Sequence, residues 1–269
     1  MNRLRLLALC LGLMLFAASC VSNKRIIYLQ NLEGNTPIPE DQLITYEMPE
    51  YRLQYNDIVE IQIKTVDDFL QSGFGPPQNN MNMNMMQGAQ GGGDVYYMTG
   101  YTVDKHGNIR LPIIGDVNVL EMTLDETRAA LEKELKEFVT TELFVRVKLG
   151  GIRFSTIGEF RRPGKYTILQ DRMTIFEAIA HAGDMTIAAK RDELLLIRQY
   201  PDGTKLHRVN LQDRQLISSP FYFIQPNDQL YAEPMKVREI GAGENAAQSI
   251  SLIISSLSLV ALVLNLVLR

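Results

Sequence analysis

Tryptophan is absent from the 269-residue sequence, histidine occurs three times, and cysteine only twice, at positions 10 and 20. Cys10 lies inside an N-terminal apolar run and Cys20 closes it, so no pair remains for a disulfide framework. The fold must then rest on its core and on partners. Basic residues number 27 against 31 acidic ones, a net charge of −4. That balance excludes nucleic-acid binding through a basic surplus or stripe. Also missing are a Gly-x-Ser-x-Gly elbow, a phosphate-cradling glycine loop with its lysine, and a cysteine nucleophile beyond position 20. The sequence offers no active site, and neither a cofactor nor a catalytic residue is expected.

The residues present at the two ends read as membrane devices. Arg3 and Arg5 precede an apolar run from Leu6 to Phe16, then Ala17, Ala18, Ser19 and Cys20. A run that short does not span a bilayer as a helix. The small-small-Cys exit suits a lipoprotein signal over residues 1–19, with cleavage before Cys20 and acylation of its thiol. The plainer alternatives are a signal anchor or an ordinary secretory peptide. At the other end, residues 249–269 read SISLIISSLSLVALVLNLVLR, long and apolar enough for a transmembrane helix. Gln248, Ser251, Ser255, Ser258 and Asn265 fall within an arc of roughly 100° on a helix of 3.6 residues per turn. Such a stripe either lines a pore in a ring of helices or packs a simple anchor on a neighbour.

Between these ends the chain divides by composition and period. Residues 20–49 are rich in Pro and Gly and read as a tether. YRLQYNDIVEIQI then alternates as a strand, and Gln71 to Gly93 breaks the pattern with a Met-, Asn- and Gly-rich insertion expected to be mobile. Its Met81, Met83, Met85 and Met86 would suit a soft ion such as Cu(I), but their tract reads as simple disorder. In GYTVDKHGNIRLPIIGDV the DKHGN segment is a hairpin turn between two alternating runs. Thr123 and Glu126 have capping-box spacing ahead of a helix whose face carries Leu124, Leu131, Leu135 and Phe138. LFVRVKLG follows as a strand. From residue 151 the plan repeats: the strand FSTIGEF, a turn at Pro163 and Gly164, and a helix capped by Thr174 and Glu177 and stopped by Gly183. A hairpin about Pro201, Asp202 and Gly203 comes next.

Two segments echo one another. YRLQYNDIV at Tyr51 returns as YFIQPNDQL at Tyr222, aligning Gln54 with Gln225, Asn56 with Asn227 and Asp57 with Asp228. An Asn-Asp pair suits a tight turn into a strand, because both side chains bond local backbone and tolerate a left-handed conformation. A metal site is the other reading, but no third hard ligand keeps fixed spacing in both copies. Glu177 and His181, at i and i+4, form another candidate ligand pair. An ion pair, or a histidine favoured near a helix C-terminus, accounts for it as well.

YRLQYNDIVEIQI and VDKHGNIRLPIIGDVNVLEMTLDETRAAL resemble the polysaccharide biosynthesis/export domain. TIGEFRRPGKYTILQDRMTIFEAIAHAGD resembles the soluble-ligand-binding β-grasp (SLBB) module. With the lipoprotein signal and the terminal helix, the chain is similar to outer-membrane polysaccharide export lipoproteins of the Wza type. It departs from their pattern at Tyr55, Asn56 and Asp57, where Pro-Gly-Asp is usual, and at Ala182, Gly183 and Asp184, where Ala-Gly-Gly is usual.

The resemblance implies an α+β fold with a polysaccharide export domain over residues 50–150, including the insertion at 71–93, and an SLBB β-grasp domain over 151–235. A linker over 236–248 leads to the transmembrane helix. It also implies an outer-membrane, lipid-anchored protein with a periplasmic body, forming a homo-oligomeric ring. That ring would export capsular or extracellular polysaccharide with an inner-membrane co-polymerase, and not bind nucleic acid. Cys20 would be the lipidation site and Ser251, Ser255, Ser258 and Asn265 would line the pore. Asn56, Asp57, Pro163, Gly164, Asn227 and Asp228 would be structural turn residues. The alternative is a membrane-anchored lipoprotein that binds a ligand or a cell-wall sugar without forming a pore.

Overall fold

The computed structural model describes residues 23–45, 50–66, 99–235 and, further on, 251, 254–258, 260–262 and 265. The architecture mixes helices with sheets. β1 (Ile58–Thr65) pairs antiparallel with β2 (Tyr101–Thr102) on one side and β5 (Leu143–Leu149) on the other. β3 (Asn108–Leu111) and β4 (Gly115–Asn118) form a hairpin of their own, and α1 (Leu124–Leu135) lies between that hairpin and β5 in sequence.

The helix forms where the capping box places it. Thr123 accepts the Glu126 amide at 3.1 Å, and the Glu126 carboxylate returns to the Thr123 amide at 2.8 Å. Thr127, Leu131 and Leu135, spaced by four, are its buried face. Full burial contributes roughly 2 kcal/mol for each leucine. Phe138 lies past the helix end and is 58% exposed, so it drops off the predicted apolar face.

DKHGN is a turn, as expected, but not a hairpin turn. The Asp104 carboxylate accepts the His106 and Asn108 amides, both at 2.8 Å, and turns the chain from β2 into β3. β2 takes its partner from β1, and the hairpin closes one turn later, around Pro112 to Ile114. Alternation marks strands, but it does not say which strands pair.

The second unit is a five-stranded mixed sheet in the order β7-β6-β10-β8-β9. It consists of β6 (Ile152–Gly158), β7 (Gly164–Ile168), β8 (Leu194–Tyr200), β9 (Gly203–Val209) and β10 (Asp228–Ala232). α2 (Ile175–His181) sits between β7 and β8 in sequence, with Ile175, Ala178 and Ile179 buried. The β6–β7 and β8–β9 hairpins are local, whereas β10 arrives last and fills the gap between them. It runs parallel to β6 and antiparallel to β8. At Gly158 (φ 85°) a Cβ would sit 2.2 Å from the Ala232 carbonyl oxygen, so only glycine lets β10 close against β6 at that point.

Buried residues of both units, from Leu53 and Val59 to Leu230 and Ala232, belong to one hydrophobic cluster. The segment expected as a tether is docked along part of its length. Leu29 and Gln30 donate their amides to the carbonyls of Leu211 (3.2 Å) and Gln212 (2.5 Å), and the Arg214 guanidinium donates to the Ile38 carbonyl at 2.7 Å. Low apolar content does not exclude order when backbone groups find partners.

Among the described residues no helix is long and apolar enough to cross a membrane. The transmembrane helix expected over 249–269 is thus not met there. Its described residues, 251, 254–258, 260–262 and 265, are helical, and the rest of 249–269 lies outside the described residues. Cys20, the insertion Gln71 to Gly93 with its methionines, and the linker 236–248 lie outside the described residues.

Candidate functional site

The two echoed segments are the same turn built twice. Asn56 and Asn227 occupy the left-handed region at φ 69° and 66°. Asp57 accepts the Gln54 amide at 2.8 Å, and Asp228 accepts the Gln225 amide at the same distance. Each aspartate amide then returns to its glutamine's carbonyl, at 3.1 and 3.2 Å. Each turn launches a strand, β1 in one unit and β10 in the other. The aspartates have no exposed surface, so they are structural parts of the turns and not open ligands.

Their remaining acceptor capacity is met differently. Asp57 takes the Tyr51 hydroxyl at 2.6 Å and the Asn227 side-chain amide at 3.3 Å. Asp228 takes a bidentate pair from Arg198, Nε to Oδ1 at 3.0 Å and Nη2 to Oδ2 at 2.7 Å. A second bond from Arg198 Nη2 reaches the Phe223 carbonyl at 2.9 Å. Arg153 in β6 donates to the Asn56 carbonyl at 2.9 Å, and the Asn227 amide returns to the Arg153 carbonyl at 2.7 Å. The turns therefore meet each other, and the two sheet units are joined there.

Burial raises the Asp57 carboxyl above its ordinary range, against the opposing bonds from Tyr51 and the Gln54 amide. It raises Asp228 as well, opposed by Arg198. The Tyr51 hydroxyl is pushed far above its usual value by burial and by the Asp57 carboxylate it faces. Tyr51 is therefore a proton donor to Asp57 at any physiological pH.

Sequence reasoning missed Arg198, although a signal was there. It follows Leu194 and Leu196 at period two on the buried face of β8, and an inward arginine requires a buried acid. Tyr51 as the partner of Asp57 had no such signal.

A cleft of about 500 Å³ opens beside this junction, with Tyr51, Thr123, Arg172, Phe223 and Gln225 among its walls. The Arg172 guanidinium stands 5.6 Å from the centre of the Phe223 ring. Glu177, the proposed partner of His181, serves the helix cap instead: its carboxylate takes the Thr174 amide at 2.6 Å and the Thr174 hydroxyl at 2.8 Å. Those bonds hold Glu177 below the usual carboxylate range. His106 is an exposed turn residue, and His207 lies 3.0 Å from the Tyr200 hydroxyl and 4.5 Å from the Phe221 ring centre. Among the described residues no three His, Cys, Asp or Glu side chains are grouped to hold a metal.

Pro163 and Gly164 form the turn from β6 into β7, where the Gly164 amide donates to the Thr156 hydroxyl at 3.3 Å. Ser251, Ser255, Ser258 and Asn265 are helical and exposed. The hydroxyls of Ser255 and Ser258 donate to the carbonyls of Ser251 and Ile254, at 2.7 and 2.8 Å. They are satisfied within the helix itself.

A search of curated proteins finds no match to the chain. The model of the polysaccharide biosynthesis/export protein family matches residues 45–149. The matched segment contains the first turn, all of β1 to β5 and α1, and it stops at Leu149, where β5 stops. Residues 45–149 of this chain are thus similar to a polysaccharide biosynthesis/export domain.

Proposed function

We propose that this protein is an outer-membrane lipoprotein subunit of an oligomeric translocon that exports capsular or extracellular polysaccharide. The observation that carries the reading is the match of residues 45–149 to the polysaccharide biosynthesis/export protein family. The second unit, a mixed sheet with a central parallel pair and one helix, supports the SLBB β-grasp assignment to residues 151–235. In this reading Cys20 carries the lipid, the subunits form a ring that docks on an inner-membrane co-polymerase, and the C-terminal helices together form the outer-membrane pore.

The test combines mass and phenotype. Light scattering of the detergent-extracted protein should give a multiple of the subunit mass, and deletion of the gene should abolish surface polysaccharide. A monomeric extract with an intact capsule overturns the reading.

One observation favours the rival, a ligand-binding lipoprotein whose helix only anchors it. Ser255 and Ser258 satisfy their hydroxyls on their own helix and do not require water. Cysteine at positions 251, 255, 258 and 265 separates the two. In a pore these positions react with a membrane-impermeant thiol reagent while positions 253, 260 and 264 do not, and in a lone anchor all seven are protected.

A further inference from the structure

The segment that leads in from Cys20 is clasped to the second sheet unit within a few residues of that cysteine. Gln212 donates its side-chain amide to the Arg25 carbonyl at 2.5 Å. The Tyr28 hydroxyl donates to Asp184 Oδ1 at 2.6 Å, and the Arg191 guanidinium stands 5.2 Å from the centre of the Tyr28 ring. The Phe176 ring meets Tyr28 edge-on at 5.6 Å. Asp184 holds this position at φ 73°, a left-handed conformation costly for a residue with a Cβ. Its carboxylate also takes the Met185 amide at 2.6 Å. Asp184 and Arg191 bound one loop, and that loop also holds the outgoing chain. The Lys190 amide donates to the Glu233 carbonyl at 2.9 Å, and the Met235 amide to the Ala188 carbonyl at 2.7 Å. Both chain ends that lead toward the membrane devices are thus sewn to the loop from Asp184 to Arg191.

Reach decides what this means. A free tether from residue 20 to 49 would extend to roughly 100 Å and permit any orientation. With Arg25 pinned to Gln212, the clasp is five residue steps from Cys20, a span of at most about 18 Å. An acylated Cys20 sits at the headgroup level, so the second unit is held at the bilayer. The exposed residues beside the clasp suit such a surface. Ile27 is 46% and Ile187 61% exposed, and Lys24 and Arg25 are exposed cations. Apolar side chains flanked by lysine and arginine are the chemistry of interfacial contact.

We infer that the clasped N-terminal segment and the loop Asp184 to Arg191 form the membrane-facing end of the molecule. Ile27 and Ile187 lie on the phospholipid leaflet that carries the acylated Cys20. The inference rests on the lipid anchor proposed above and adds to it which unit, and which loop, meets the bilayer. The lipid and the terminal helix then enter one bilayer from one side.

The experiment uses the full-length acylated protein in vesicles of phosphatidylethanolamine and phosphatidylglycerol. Ile27→Cys, Ile187→Cys and, as control, Ile113→Cys at the tip of the β3–β4 hairpin each receive a fluorophore. Quenching by headgroup-linked nitroxide lipid is then measured. Labels at 27 and 187 should be quenched severalfold more than the label at 113. Protein that floats with the vesicles but shows equal quenching at 187 and 113 overturns this inference and leaves the lipid anchor standing. Protein that does not float overturns both.

Discussion

Asn227 donates its side-chain amide to the carboxylate of Asp57 across 3.3 Å, tying together two turns that lie 170 residues apart in the chain. Each residue belongs to a copy of the same Gln-x-Asn-Asp turn, and the bond runs from the second copy to the first. The first sheet unit and the second meet where the two copies of this turn touch.

That bond distinguishes the two asparagines. Asn227→Gly keeps the left-handed turn and loses only the cross-link, so it should cost about 1 kcal/mol in urea denaturation. Asn227→Ala adds the strain of a Cβ at φ 66° and should cost about 1 kcal/mol more. Asn56→Gly should be close to neutral, because its left-handed conformation suits glycine. Equal losses at 56 and 227 would show that the cross-link contributes nothing.

The buried pair Arg198–Asp228 should behave as a unit. Arg198→Met leaves the Asp228 carboxylate without its cation and should destabilise by about 3–5 kcal/mol. Arg198→Met combined with Asp228→Asn should recover much of that loss, since no charge then remains buried. A double-mutant cycle on the midpoint of chemical denaturation reads the coupling, and strict additivity would contradict it.

The pH dependence of Asp57 has a defined sign. Burial raises its folded-state pKa above the unfolded value, so its contribution to stability is fully present below the unfolded pKa and is lost as pH rises through the folded pKa. Asp57→Asn removes that titration. The melting-temperature advantage of the wild type over Asp57→Asn should therefore grow as pH falls from neutrality toward the ordinary carboxylate range, about 4. An advantage that shrinks on acidification would mean that the hydrogen bonds from Tyr51 and Gln54 outweigh burial.

Both capping boxes are complete, and each can be tested by one hydroxyl. Thr123→Ala and Thr174→Ala should each lower stability by about 1 kcal/mol. Loss of the Thr174 cap should also speed hydrogen exchange at the Glu177 amide, which donates to the Thr174 hydroxyl. Unchanged exchange there would show that packing alone holds the helix end.

Much of this structure was legible in order, because it is decided by neighbours. Thr123 and Glu126, Thr174 and Glu177, the Pro201–Asp202 hairpin and the paired Asn-Asp turns each involve residues within a few positions of one another. The physics of a cap or a tight turn is complete within that span. The resemblance of residues 45–149 to the export family was legible for the same reason, as consecutive segments in a fixed order. Tertiary structure alone decided the pairing of β2 with β1, the entry of β10 between β6 and β8, and the docking of Tyr28 on Asp184. It also decided the burial of Arg198 against Asp228. Those contacts join residues from 30 to more than 150 positions apart, and their partners are chosen by which surfaces the folded units bring together. A period of two marks a strand without naming its neighbour, and a Pro- and Gly-rich leader looks free until a folded unit offers carbonyls and amides to hold it.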